Sequence, residues 1–182
     1  MINKEPTLIY KAYAGIGSKK TPQRFLFLME DIAKDLFHRG FTLRSGGAEG
    51  ADSAFEKGSQ RSEIFLPWPK FRDNESTFVK PTSEAYKLSS KFHPVWDRLS
   101  APVKSLMARN AHQVLGYDLK TPSKFIVCWT QDGCEDKKDR TARTGGTGLA
   151  IAIASYFSIP IFNLQNPNSI TVFYDRFLGG DI

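Results

Sequence analysis

Three apolar runs in this chain of 182 residues each leave through a small, glycine-rich turn into a helical pattern. Leu8 to Ile16 exits through Gly17-Ser18-Lys19-Lys20, and Phe41-Thr42-Leu43-Arg44 exits through Ser45-Gly46-Gly47-Ala48-Glu49-Gly50. Lys124 to Trp129 is followed by a charged loop that ends in Thr144-Gly145-Gly146-Thr147-Gly148. Strands that alternate with helices cannot pair as hairpins. They need crossovers, and crossovers place the strands parallel with helices over them. The expected fold class is therefore α/β: a Rossmann-like, open, mostly parallel sheet with helices on both faces.

The helical stretches carry their own boundary signals. Thr21 is the expected N-cap of the first helix and Pro22 its first residue. Phe25, Leu28, Met29, Ile32, Leu36 and Phe37 then recur at helical spacing before Gly40 closes it. A short helix to about Gly58 and a strand over Glu63–Leu66 follow. From residue 67 to 100 the pattern breaks at Pro67, Pro69, Pro81 and Pro94. This reads as an irregular excursion with one or two short helices, within a single domain covering 1–182. Its Trp68, Phe71, Phe78, Tyr86, Phe92 and Trp96 are expected to pin the segment to the core, with a ligand pocket as the alternative role. Regularity returns with a helix from Pro102 to Leu115, a helix from Leu149 to Phe157 that is apolar nearly all round and a strand over Ile159–Leu164. Ser169 is the expected cap of a short terminal helix.

Composition narrows the function classes. Hydrophobic residues make up 41% of the chain, with 14 Phe, which suits a packed core and argues against disorder. No run approaches the roughly 18 apolar residues of a membrane span, and Met1 to Pro6 is too polar to open a secretory signal. The expectation is a cytoplasmic protein with no membrane partner. Cys128 and Cys134 lack zinc spacing, and His38, His93 and His112 do not cluster with carboxylates, so neither a metal site nor a cofactor is expected. The net charge of +6 is most concentrated over 101–124 and suits an anionic partner.

The glycine turns indicate where that partner sits. In an open parallel sheet, ligands bind beyond the carboxyl ends of the strands. Glycine lets the backbone approach an anion, and the following helix offers unpaired N–H groups and the positive end of its dipole. The candidate ligand-binding residues are Gly15, Gly17 and Ser18; Ser45, Gly46 and Gly47; and Gly145, Gly146, Thr147 and Gly148. No Gly-Lys-Ser/Thr follows at Walker spacing, and the first turn does not complete Gly-x-Gly-x-x-Gly.

Four of these segments carry a resemblance. Ala14-Gly15-Ile16-Gly17-Ser18-Lys19 resembles the opening strand and turn of the DprA/Smf proteins, and Arg44 to Asp52 is similar to their Ser-Gly-x-Ala-x-Gly-x-Asp loop. Ala108-Arg109-Asn110 resembles their Arg-Asn helix. Thr144 to Gly148, with Ala150 and Ala152, matches their last glycine turn and the Gly-Gly-x-Gly-Thr loop of the related LOG proteins. The chain thus looks like a compact, stand-alone member of the superfamily that joins the two (SLOG), of the kind found in phages.

The resemblance implies that Arg109 contacts phosphate and that Asn110 beside it reads a sugar or base. Glu49 and Asp52 would bind ribose hydroxyls or serve as acid–base catalysts, the structural alternative being a helix cap. It also implies a protein that senses or sequesters a phosphate-bearing nucleotide or an ADP-ribose-type ligand. The alternatives are a DprA-like mediator that binds single-stranded DNA and a hydrolase of the nucleoside-phosphate N-glycosidic bond. LOG hydrolases follow the glycine loop with Thr and, three residues on, a catalytic Glu; here those places hold Leu149 and Ala152, which favours binding over turnover. For a DNA binder, Lys19, Lys20, Arg24, Arg44 and Arg109 would supply charge near the loops. Related proteins pair, so a homodimer is a further expectation.

Overall fold

The computed structural model describes residues 10–179. Strands β1 (Lys11–Gly17), β2 (Phe41–Ser45), β3 (Ser62–Leu66), β4 (Phe78–Val79), β5 (Ile126–Trp129) and β6 (Ile161–Asn163) form one sheet. Its order is β4-β3-β2-β1-β5-β6, and every neighbouring pair is parallel. The helices are α1 (Gln23–His38), α2 (Ala51–Gly58), α3 (Ser83–Ser90), α4 (Ala101–Leu115), α5 (Thr147–Tyr156) and α6 (Pro167–Phe173). The chain adds strands outward on one side of β1, then returns to its other side with β5. The connections therefore diverge between β1 and β5, with Gly17 opposite Trp129.

The period-two alternation of the strands divides the core. Tyr13, Val127 and Trp129 face α1, α2 and α6, where they meet Met29, Ile32, Leu36, Phe55 and Phe173. Ala14, Ile16, Ile126 and Cys128 face the other way, against Ala111 and Val114 of α4 and Leu149, Ile151 and Ile153 of α5. Both faces are covered, as the expected fold class requires. Gly15 is glycine for steric reasons: a Cβ there would lie 2.6 Å from the Phe55 ring and 2.7 Å from Leu43.

Several local expectations shift. Leu8 and Ile9, read as the start of β1, lie outside the described residues. Pro22 is the N-cap of α1, one residue beyond Thr21, whose hydroxyl instead donates to the Ser18 carbonyl at 2.6 Å. Asn166 occupies the N-cap of α6, and Ser169 lies within that helix, donating to Glu135. The 67–100 excursion contributes β4 to the sheet edge as well as α3 and two 3-10 turns. Arg44 is 2% exposed. It pairs with Glu63 at 2.8 Å and donates to the Thr121 carbonyl at 2.6 Å, so it ties β2 to β3 and to the entry of β5 rather than facing a ligand.

Two of the excursion's six aromatics, Phe78 and Phe92, pack outside the segment, on Phe65 and Tyr156, whereas Tyr86 meets Trp96, and Trp68 meets Phe71, within it. His112 of α4 accepts the Thr82 N–H through Nε2 at 3.1 Å and faces the Gly116 carbonyl with Nδ1. That arrangement is the neutral tautomer with its proton on Nδ1, and burial lowers the His112 pKa accordingly.

Tyr13 is fully buried and its hydroxyl has no partner among the described residues. An unpaired buried hydroxyl costs about 1–3 kcal/mol. Tyr13→Phe is therefore expected to hold or raise stability, by up to about 1 kcal/mol in urea unfolding. A loss of comparable size would mean that the hydroxyl is bonded.

Candidate functional site

A cleft of about 930 Å³ opens beside the carboxyl ends of β1 and β5, at the point where the connections diverge. Its walls come from three places in the sequence. The first turn brings Gly17, Ser18, Lys19 and Lys20. The third brings Arg143, Thr144, Gly145, Gly146 and Thr147, where α5 begins. One face of α4 completes it with Leu106, Met107, Arg109, Asn110 and Gln113, a spacing of three and four residues that keeps them on one side of a helix. Ile16, Trp129 and Ala150 add apolar surface.

Charge is unevenly placed. Lys19, Lys20 and Arg143 are exposed at the cleft and form no ion pair among the described residues. Asp52 and Arg109 are buried and pair with each other at 3.2 Å. Burial pushes the Asp52 carboxyl above its usual range against the pull of the Arg109 guanidinium and of the Ala48 and Gly46 N–H groups. The first turn of a helix leaves N–H groups free, so the start of α5 adds partial positive charge to the cleft.

The third turn is held from behind. Thr141 and Thr144 donate their hydroxyls to Asp132 at 2.6 and 2.5 Å. Burial raises the Asp132 carboxyl, but those hydroxyls, Thr130 and the Cys134 N–H outweigh it and bring it down to about 2. Asn110 donates to the Gly146 carbonyl at 3.1 Å. Its amide thus anchors the turn to α4, a task different from the sugar or base contact that its neighbourhood with Arg109 implied.

The second turn behaves differently from the other two. Ser45 donates its hydroxyl, and Gly47 its N–H, to Glu56 Oε1 at 2.7 and 2.9 Å. The Ala48 N–H points to Asp52 at 3.4 Å. The positions an anion would take on this loop are thus filled by the protein's own Glu56 and Asp52 carboxyl groups. Ser45, Gly46 and Gly47 are buried behind the Asp52–Arg109 pair, and a Cβ on Gly46 would overlap the Arg109 guanidinium.

The sequence-predicted residues therefore separate. Gly17, Ser18, Asp52, Arg109, Asn110, Gly145, Gly146 and Thr147 come together on the cleft. Gly15 packs in the core, and Gly148 borders a smaller hollow of about 470 Å³ with Lys137 and Arg140, on the far side of the third turn. Glu49 is exposed and pairs with Arg72. Glu49 and Asp52 consequently do not face a common point, and neither makes a side-chain cap on α2, whose N-cap is Gly50. Met107, Gln113, Arg143 and Gln165 line the cleft without having been singled out from the sequence. Among the described residues, no three His, Cys, Asp or Glu side chains form a metal-binding group, and no helix is long and apolar enough to cross a membrane.

Fold and site define a class: a doubly wound α/β chain with a cationic cleft at its topological switch point. A solved structure of the same fold is that of DNA processing protein A (DprA) from Helicobacter pylori, described for its single-stranded DNA binding mode. The match has a TM-score of 0.55 and 15% identity, and covers 91% of this chain and 72% of that one. At that identity, the likeness establishes a shared DprA-like, Rossmann-type fold. No family model and no curated protein matches the chain.

Glu56 supplies a pH test of the second turn. Burial lifts its carboxyl from the ordinary 4.5 to about 7, with Ser45 pulling the other way and Asp52 adding to the rise. The folded state then binds more protons than the unfolded chain between those two values, so stability falls as pH rises through that window. Wild type is expected to lose on the order of 1–3 kcal/mol more than Glu56→Gln between about pH 5 and 7.5. Equal slopes in urea titrations of the two proteins would mean that Glu56 is not desolvated behind the loop as its burial implies.

Proposed function

We propose that the cleft binds a phosphate-bearing nucleotide, sensing or sequestering it rather than turning it over. The observation that carries the reading is the convergence on the switch-point cleft of two glycine turns, a helix N-terminus and three cations that form no ion pair among the described residues. An anion there meets backbone N–H groups and charge together. Its size, about 930 Å³, is within the usual range for a small-molecule site. Turnover is disfavoured because Asp52 is committed to Arg109, Glu49 lies elsewhere, and Ala152 occupies the place of the LOG-type carboxylate.

Single-stranded DNA is the second reading. It is favoured by the DNA-binding protein of the same fold and by the further basic hollow across the third turn, where Lys137 and Arg140 would meet a neighbouring phosphate. The two readings differ in salt dependence. A polyanion displaces many counterions and loses affinity steeply with salt, whereas a nucleotide seated in a cleft is affected less.

Thermal shift against nucleoside phosphates, ADP-ribose and oligothymidylate, at low and high salt, separates them. Stabilisation by a nucleotide at both salts, with the nucleotide recovered intact on chromatography, is the expected result. Stabilisation by the oligonucleotide alone, lost at high salt, would replace it with the DNA reading. The triple variant Lys19→Ala, Lys20→Ala, Arg143→Ala should keep its melting temperature and lose more than about tenfold in affinity, roughly 1.4 kcal/mol. Unchanged affinity in that variant would exclude this wall.

A further inference from the structure

The cleft has two electrostatically different ends. Along α4 the lining residues become steadily more buried: Leu106 and Met107 are half-buried, Arg109 and Asn110 are each 8% exposed, and Gln113 is 1% exposed. The rim carries Lys19, Lys20 and Arg143, which form no ion pair among the described residues. At the floor the one cation, Arg109, is compensated by Asp52 at 3.2 Å. A dianionic phosphate gains little from a neutralised guanidinium and more from the rim, where the charges are uncompensated.

The floor also holds an unanswered donor. Gln113 Nε2 is buried and has no hydrogen-bond partner among the described residues, and Arg109 Nε one turn earlier has none either. A buried polar group is ordinarily paired, so two orphans on one face of one helix, both lining the same cleft, mark a place where something else supplies the acceptor. Ile16, Leu106, Met107 and Ala150 line the same cleft, an apolar surface suited to a flat, largely apolar group. A carboxamide offers a donor and an acceptor side by side, the pattern that a nucleobase edge complements and a phosphate does not.

We infer that the nucleotide enters base first, with its heterocycle on the α4 floor read by Gln113 and its phosphate left at the rim. Gln113 is then the specificity-determining residue of the site. This rests on the nucleotide reading above and adds an orientation to it. Occupation draws the Gln113 carboxamide a short way into the cleft and satisfies the donor that has no partner among the described residues. It also gives the protein a reason to distinguish one base from another, because the wrong edge leaves that donor unanswered.

The test uses the full chain, calorimetry, the four ribonucleoside 5′-monophosphates and ribose 5-phosphate as a probe without a base. Wild type should bind its preferred nucleotide at least about tenfold more tightly than ribose 5-phosphate. Gln113→Met keeps the side-chain length without the amide, and Gln113→Asn keeps the amide but withdraws it by one methylene. Both should reduce the preference among bases by about tenfold while leaving ribose 5-phosphate affinity unchanged. Melting temperatures of the unliganded variants establish that they are folded, and the Asn variant serves if the Met variant is not. Wild-type discrimination in a folded variant would overturn the assignment of Gln113 while leaving the nucleotide reading intact. Failure of wild type to bind any nucleotide or ribose 5-phosphate would overturn both.

Discussion

The Asp52–Arg109 ion pair lies across the top of the sheet and joins its two faces. Asp52 stands in the first turn of α2, on the face shared with α1, and Arg109 comes from α4, on the other. They meet at 3.2 Å beyond the end of β2, in space that is open only because residue 46 has no side chain. Removing either partner would strand the other charge in the interior, at a cost of about 3–5 kcal/mol. The pair determines the floor of the cleft, the position of α4 above it and the fate of the second glycine turn.

That turn shows how one sequence signal serves two ends. A backbone nest attracts any carboxylate or phosphate. Here Glu56, in the second turn of α2, supplies the carboxyl group from within the chain and accepts from both Ser45 and Gly47. Among the described residues, the first and third turns meet no such internal anion in front. Asp132 takes hydroxyl donors behind the third turn, stiffening it while leaving its front open. The protein thus spends one glycine turn on architecture and two on a cleft, and the division follows from where its own acids fall.

Much of the fold was legible because it is written locally. The apolar runs of β1 and β5, the helical repeat of Phe25, Met29, Ile32 and Leu36, and the glycine exits all depend on near neighbours in sequence. What escaped depends on distant ones. β4 is only Phe78–Val79, too short for a period, and becomes a strand by adding to the edge of β3. Arg44 reads as a basic residue beside a binding loop until Glu63 and Thr121 arrive to bury it. Glu56 has the spacing of an ordinary helix-surface acid; nothing nearby announces that α2 will turn it toward Ser45. Gln113 sits in an amphipathic helix whose cleft-facing side is defined only after β1 and β5 are in place.

Backbone amide chemical shifts, followed as nucleoside monophosphate is titrated into the labelled protein, test the division among the turns most directly. The account predicts that the largest changes fall on Gly17 to Lys20 and on Arg143 to Thr147, with Ser45, Gly46 and Gly47 little affected. Changes centred on Ser45 to Gly47, with the first and third turns silent, would mean that the ligand displaces Glu56 and that the cleft described here is not the binding site.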